Sequence, residues 1–203
     1  MDVCFINPPI EDFYYTSIRR QPLGLLYIIS SIEDKGHRVT LINGHTNKKK
    51  VIPVPPIMSF LEKYISTNDK NYSFPFKNYY HFGMSFSEIQ NRIKQSSAEI
   101  FFISSLFTTY HEETEKIIHI IKKEKPNSVI VAGGYHASLY PEYFLNSLNI
   151  DYVIFGEGER GSVELLEYLE GKISISQVCN LIYKENDQVI YNQVNYEKNL
   201  DEI

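Results

Sequence analysis

The 203-residue chain has only two cysteines, Cys4 and Cys179. An iron–sulfur cluster needs three or four thiolates, so the chain cannot ligate one by itself. Each cysteine sits in an apolar, strand-like run and reads as a buried thiol in a reducing cytosol. No apolar run approaches the ~20 residues of a membrane helix. Met1 to Pro9 has no charged leader and no cleavage site, so no signal peptide is expected. The expected location is therefore cytoplasmic, with no membrane partner. A basic block is also absent. Lys48-Lys49-Lys50 is the one basic run, and 20 Lys and Arg stand against 25 Asp and Glu, a net charge of −5. That balance argues against nucleic acid as a partner. What is present is globular: 43% hydrophobic, 14% aromatic and 22% charged residues, enough for one α/β domain with a small appendage.

Asp2 to Asn7 reads as a buried strand closed by Pro8 and Pro9, and a polar loop follows, Ile10 to Gln21. Pro22 suits a first helical turn, Leu23 to Lys35 is apolar nearly all round, and Gly36 stands where a helix ends. Such a helix is expected to be buried against a sheet. Arg38 to Asn43 reads as the second strand. Residues 45–83 hold Pro53, Pro55, Pro56 and Pro75 and a dense aromatic stretch after Asn71, with a short helix possible at Ser59 to Ser66. They read as an insertion packed on the edge of the domain. Ser85-Phe86-Ser87-Glu88 is a capping box opening a helix to about Ser97. Strands follow at Glu99 to Leu106, Ser128 to Ala132 and Asp151 to Phe155. They alternate with helices at Tyr110 to Lys125, Pro141 to Leu148 and Glu159 to Leu169. This spacing predicts a Rossmann-like, doubly wound, five-stranded parallel sheet with helices on both faces. Asn186-Asp187 between two short runs predicts a C-terminal β-hairpin.

The strand ends read Asn7-Pro8-Pro9, Ser104-Ser105-Leu106, Gly133-Gly134-Tyr135-His136 and Gly156-Glu157-Gly158-Glu159. All four fall on one rim of the sheet, where ligands of such folds bind. Glycine there lets a bulky ligand approach the main chain. It also makes tight strand–helix turns, and the residue types fit both readings. No nucleophile–base pair and no metal-ligand cluster stands on the rim, so no catalytic or metal-ligating residue is assigned. Gly156 to Gly161 spells G-x-G-x-x-G, but it follows the last strand and carries two carboxylates, which would repel a pyrophosphate. A phospho-receiver needs acidic residues where Asn7-Pro8 and Ser104-Ser105 stand. A flavin phosphate site needs amide donors that Pro8 and Pro9 lack. His111, Glu115 and His119 share a helix face, which more commonly faces solvent than zinc. His136 lies on the rim and is read as a ligand contact.

These pieces resemble the N-terminal cobalamin-binding domain of the B12-dependent radical S-adenosylmethionine enzymes. The resemblance rests on Asn7-Pro8-Pro9, on Pro22 to Tyr27 with Gly36-His37, and on Ala132 to Ala137 with Pro141-Glu142. Asp151 to Ile154 with Gly156 to Glu159 completes it. It spans most of 1–170 outside the insertion at 45–83. It implies a cobalamin site formed by Asn7, Pro8, Pro9, Ser104, Ser105, Gly133, Gly134, His136, Gly156 and Glu157. No D-x-H occurs in the chain, so the implied mode is base-off with no histidine on cobalt. The nucleotide tail would run past Ser104, Ser105, Gly133, Gly134, Gly156 and Glu157, and the corrin would sit above the loop 7–21. Whether Asn7, Tyr14 or Tyr15 approaches cobalt stays open.

The resemblance divides the chain into a cobalamin-binding unit, 1–172, and a hairpin with linker, 173–203. The linker would lead to a radical S-adenosylmethionine barrel carrying a 4Fe-4S cluster and S-adenosylmethionine. The chain is thus expected to be a piece of a longer enzyme, catalytically inert alone, whose parent is a methyltransferase or resembles the Mg-protoporphyrin monomethyl ester cyclases. The rival reading is a degenerate domain whose crevice is filled by insertion tyrosines and which only docks on its barrel. A nucleotide-sugar-binding domain is a third.

Overall fold

The computed structural model describes residues 1–14, 21–65 and 75–196. Five parallel strands form the centre: β1 (Asp2–Asn7), β3 (Arg38–Asn43), β6 (Ile100–Ser104), β7 (Val129–Gly133) and β8 (Tyr152–Ile154). The hairpin β9 (Leu181–Glu185) and β10 (Gln188–Tyr191) continues the same sheet antiparallel, giving the order β10-β9-β8-β7-β6-β1-β3. Its turn residues Asn186 and Asp187 have φ of +49° and +62°, the left-handed pair a two-residue hairpin requires. Among the described residues, no helix is long and apolar enough to cross a membrane.

Alternation along β1 explains the two layers. Cys4 and Ile6 point to one face, into a core shared with α2 (Phe86–Gln95) and α3 (His111–Glu124). Val3 and Phe5 point to the other, with α1 (Leu23–Glu33) and α5 (Glu159–Leu169). Phe5 stacks on Phe102 at 4.7 Å across β1 and β6. The sheet is therefore doubly wound, as the strand–helix alternation requires. The capping box at α2 forms in both directions: Ser85 Oγ accepts from the Glu88 amide at 3.2 Å, and Glu88 Oε2 accepts from the Ser85 amide at 2.8 Å. Such a cap contributes about 1 kcal/mol.

Four local expectations change. In α1 only Leu25 and Ile32 are buried, while Leu23 and Tyr27 are 61% and 53% exposed. An all-round apolar helix has no phase of its own, and the sheet with α5 covers one side of it. Ile10–Asp12, expected in a loop, is strand β2; residues 15–20 of that loop lie outside the described residues. The helix sought at Ser59 to Ser66 is a run of 3₁₀ turns over Pro56–Tyr64, and Ser66 is outside the described residues. The helix expected at Pro141 to Leu148 forms as a wide π turn over Tyr143–Ser147, and an unforeseen short helix, α4 (Tyr135–Leu139), precedes it.

The stretch 45–83 contributes β4 (Lys49–Ile52) and β5 (Tyr79–Phe82), which with β2 make a second, antiparallel sheet of order β2-β5-β4. Gly44 and Gly83 fasten it to the main sheet. Gly44 donates to the Asn7 carbonyl at 2.7 Å and accepts from Met84 at 2.8 Å. Gly83 has φ +124°, and a Cβ there would fall 1.9 Å from the Gly44 oxygen, so only glycine permits this approach.

Candidate functional site

The strand order reverses between β1 and β6. The chain leaves β1 to form β3 on one side and returns to form β6 on the other. The carboxyl ends of such a pair splay, and open α/β sheets bind ligands there. A cavity of about 750 Å³ occupies this place. Its lining comes from three sources. The strand ends supply Asn7, Pro8, Pro9, Ser104, Leu106 and Phe107. The start of α3 supplies Thr109, Tyr110 and Thr114. The small sheet and its flanks supply Ile10, Asp12, Phe13, Tyr14, Pro75, Phe76 and Lys77. His45, buried just past β3, completes it.

Aromatic packing and a buried charge network hold the small sheet against α3. The Phe13 ring lies 4.6 Å from Phe76 and 4.7 Å from Tyr79. Glu11 Oε1 meets His81 Nδ1 at 2.9 Å, and its other oxygen accepts from Lys116 at 3.3 Å. His81 Nε2 donates to the Met84 carbonyl at 2.8 Å. The hydrogen bond to Glu11 raises the His81 pKa against the opposing effect of burial. For Glu11, burial alone would raise the pKa, but His81 and Lys116 together hold it below the usual value. Asp12 closes the same edge. Its Oδ1 accepts from the amides of Phe13 and Tyr14 at 2.6 and 3.3 Å, and its Oδ2 from the Tyr110 hydroxyl at 2.5 Å. Burial, then this bond, pushes the Tyr110 phenol upward.

Of the residues expected at the site, Asn7, Pro8, Pro9 and Ser104 line the cavity; the others do not. Asn7 Nδ2 donates to Asn43 Oδ1 at 2.8 Å, tying the ends of β1 and β3. Ser105 is buried, and its carbonyl accepts from the His136 amide at 3.0 Å. Gly134 has φ +100°, and a Cβ there would stand 2.8 Å from that carbonyl, so this turn is closed by main chain. At Gly133 a Cβ would meet only the Ile154 oxygen, at 3.8 Å. Ser138 links the two glycine turns: its hydroxyl donates to the Gly134 carbonyl at 2.9 Å and accepts from the Gly156 amide at 3.3 Å. Glu157 lines a separate depression with Ser31 and Arg160.

His136 is buried below the rim. Its Nδ1 meets Thr108 Oγ1 at 3.1 Å, its ring lies 5.1 Å from Tyr140, and burial lowers its pKa. Its Nε2 and the Ser105 hydroxyl have no hydrogen-bond partner among the described residues. His111 and Glu115 approach at 3.7 Å, and His119 is exposed. No group of three metal-ligating side chains occurs among the described residues. Tyr14 lines the cavity, whereas Tyr15 lies outside the described residues. Asp12, Phe13, His45, Phe76 and Tyr110 were not foreseen. The aromatic density after Asn71 was a signal for Phe76 alone, and it did not say where that ring would go.

The fold and the crevice define a doubly wound α/β domain with an open cavity at the switch point. Residues 77–166, a little under half of the chain, match the family model described as B12 binding domain. The chain is 27% identical over 91% of its length to cytidylyl-2-hydroxyethylphosphonate methyltransferase of Streptomyces wedmorensis, covering 32% of that protein. It is 24% identical over 94% of its length to the anaerobic magnesium-protoporphyrin IX monomethyl ester cyclase of Synechocystis, again covering 32%. The chain thus spans about a third of these relatives. Its fold matches the cobalamin-dependent S-adenosylmethionine radical enzyme OxsB, solved with aqua-cobalamin and S-adenosylmethionine. The TM-score is 0.66 at 15% identity, over 97% of this chain and 22% of that one.

Proposed function

We propose that the switch-point cavity receives cobalamin, base-off and without a histidine on cobalt. The observation that carries this reading is the open space itself. Among the described residues, about 750 Å³ stays clear beside the bare turn Asn7-Pro8-Pro9, although Phe13 and Phe76 border it. The docking-only alternative needs that space filled by aromatic side chains. Mostly apolar walls with a few polar groups suit a large ligand with a hydrophobic body. The macrocycle would lie against the loop 7–14. The trailing nucleotide arm would leave past Ser104 toward Gly133 and Gly156, where Gly133 has room for an approaching group. Ser105, Gly134, His136 and Glu157 would shape that path from beneath and beyond it.

Bound cobalamin would supply a transferable methyl group or a cobalt-centred redox step. This chain's residues bind it, orient it and keep water from it. The extent of the curated relatives supports a same-chain radical S-adenosylmethionine barrel as partner, carrying the 4Fe-4S cluster and S-adenosylmethionine, with methyl transfer or cyclisation as the reaction. The unit boundary near 172 is part of the same proposal.

The test is titration of the purified chain with hydroxocobalamin and methylcobalamin, followed by visible spectroscopy and bound cobalt. Saturable binding at micromolar concentration is expected, and none at high micromolar concentration would overturn the reading. Electron paramagnetic resonance of the bound cobalt(II) form should lack nitrogen hyperfine splitting. Its presence would point to His45 or to the cofactor's own base as a ligand. Gly133→Trp should weaken uptake while leaving the thermal unfolding transition in place.

A further inference from the structure

We propose that Asp12 reads the amide arms of the bound corrin, so that the site selects the fully amidated ring over one bearing carboxylate arms. This rests on the cobalamin reading above. A carboxylate offers roughly four acceptor positions. Among the described residues Asp12 uses three: two for the amides of Phe13 and Tyr14 and one for the Tyr110 hydroxyl. Those bonds fix it from both sides. Its Oδ1 is held by the local turn, and its Oδ2 by a residue at the start of α3. One acceptor position remains on a residue that lines the cavity.

The periphery of cobalamin carries primary amides, each with N–H donors and a carbonyl acceptor. An amide N–H can complete Asp12. Lys77, which lines the cavity from the other flank of the small sheet, has the polarity that suits an amide carbonyl. A corrin with a carboxylate at the same arm has no donor for Asp12 and brings like charge against it. Asp12 is half-buried, and rejection by an unmet acceptor shielded in this way is stronger than rejection by size, which is why a polar wall discriminates where an apolar one does not. The bland role for Asp12 is to shape the turn after β2. Asp12→Asn separates the two roles, because the amide oxygen still accepts from Phe13 and Tyr14 while the second group becomes a donor.

The experiment compares hydroxocobalamin with its monocarboxylic acids, made by mild acid hydrolysis of the amide arms and separated. The wild-type chain should bind at least one monoacid about tenfold more weakly than the parent, the weight of one charge-assisted hydrogen bond. Asp12→Asn should lose about tenfold for hydroxocobalamin and lose the discrimination, with an unchanged far-ultraviolet circular dichroism spectrum. Wild-type chain that binds every form equally overturns the role of Asp12 while leaving the cobalamin reading intact. So does a variant that keeps full discrimination. Wild-type chain that binds no corrin overturns the cobalamin reading, and this inference falls with it. If Asp12→Asn fails to fold, the wild-type comparison alone decides.

Discussion

Glu11 and His81, 70 positions apart in the chain, meet at 2.9 Å between β2 and β5, beside the cavity. Both side chains are nearly buried, at 13% and 11% exposure, so the pair is shielded from the screening that weakens surface ion pairs. Lys116 joins from α3 at 3.3 Å. The trio fastens the small sheet to the main one at the place where Asp12, Phe13 and Tyr14 reach the cavity.

The pair makes stability depend on pH in a defined direction. His81 has a raised pKa in the fold, so its contribution is complete below the ordinary histidine value and is lost as pH rises through the folded one. Glu11 has a lowered pKa, so its contribution is complete above the ordinary glutamate value and is lost as pH falls through the folded one. The pair therefore stabilises most in the window from roughly pH 4.5 to 6.5. Urea unfolding of wild type and His81→Gln should show their largest difference in that window and a smaller one at pH 8.5. A difference independent of pH would mean that the ring acts by packing alone.

Glu113 pulls in the same direction for another reason. It is 3% exposed, its Oε2 has no partner among the described residues, and burial pushes its pKa up to about 7 from the ordinary 4.5. A carboxyl raised in the fold costs stability as pH climbs from the unfolded to the folded value. Glu113→Gln should then stabilise the chain at pH 8, by an amount on the order of 3 kcal/mol at most, and change little at pH 4. Denaturant midpoints at the two pH values check this. Equal effects at both would show that the carboxyl is hydrated and ordinary.

Much of the architecture was legible because local signals agreed with one another. The capping box at Ser85 and Glu88, the Asn186-Asp187 turn and the apolar run of β6 each admit one reading. The rim was legible in part: Asn7, Pro8, Pro9 and Ser104 stand where strand–helix alternation puts them. Its other wall was not. Asp12 and Phe76 line one cavity because β2 pairs with β5, and a pairing between three-residue and four-residue strands leaves no periodicity long enough to read. His136 shows the opposite error. Its place after Gly133-Gly134 put it on the rim, but α4 begins at Tyr135 and turns its ring inward against Tyr140 and Phe144.

The glycines on the rim are not equivalent, and substitution should separate them. Gly83→Ala drives a methyl into the Gly44 carbonyl, a rigid main-chain neighbour, at a φ of +124°. Gly134→Ala does the same to the Ser105 carbonyl at +100°. Each should cost several kcal/mol and lower the thermal midpoint by roughly ten degrees or more. Gly133→Ala meets nothing closer than 3.8 Å and should cost under about 1 kcal/mol. If all three unfold alike, the close approaches at Gly44 and Ser105 do not govern the stability of this rim.

The two thiols report on the two faces of the sheet. Cys4 is fully buried in β1 on the face packed by α2 and α3, and burial raises its pKa to about 12. Cys179 is 8% exposed, next to the start of β9, and burial together with its contact to Glu164 raises its pKa to about 12 as well. The thiolate is the reactive form, so neither should react with a disulfide reagent at pH 8 in the native chain, and both should react once it is unfolded. Limiting urea should release Cys179 first. Its main-chain amide is held by the Glu164 carboxylate at 2.7 Å beside the edge hairpin, whereas Cys4 lies between two central strands. Mass spectrometry of the labelled peptides gives the order, and labelling of Cys4 ahead of Cys179 would place the weak point of the fold in the central sheet instead of at its antiparallel edge.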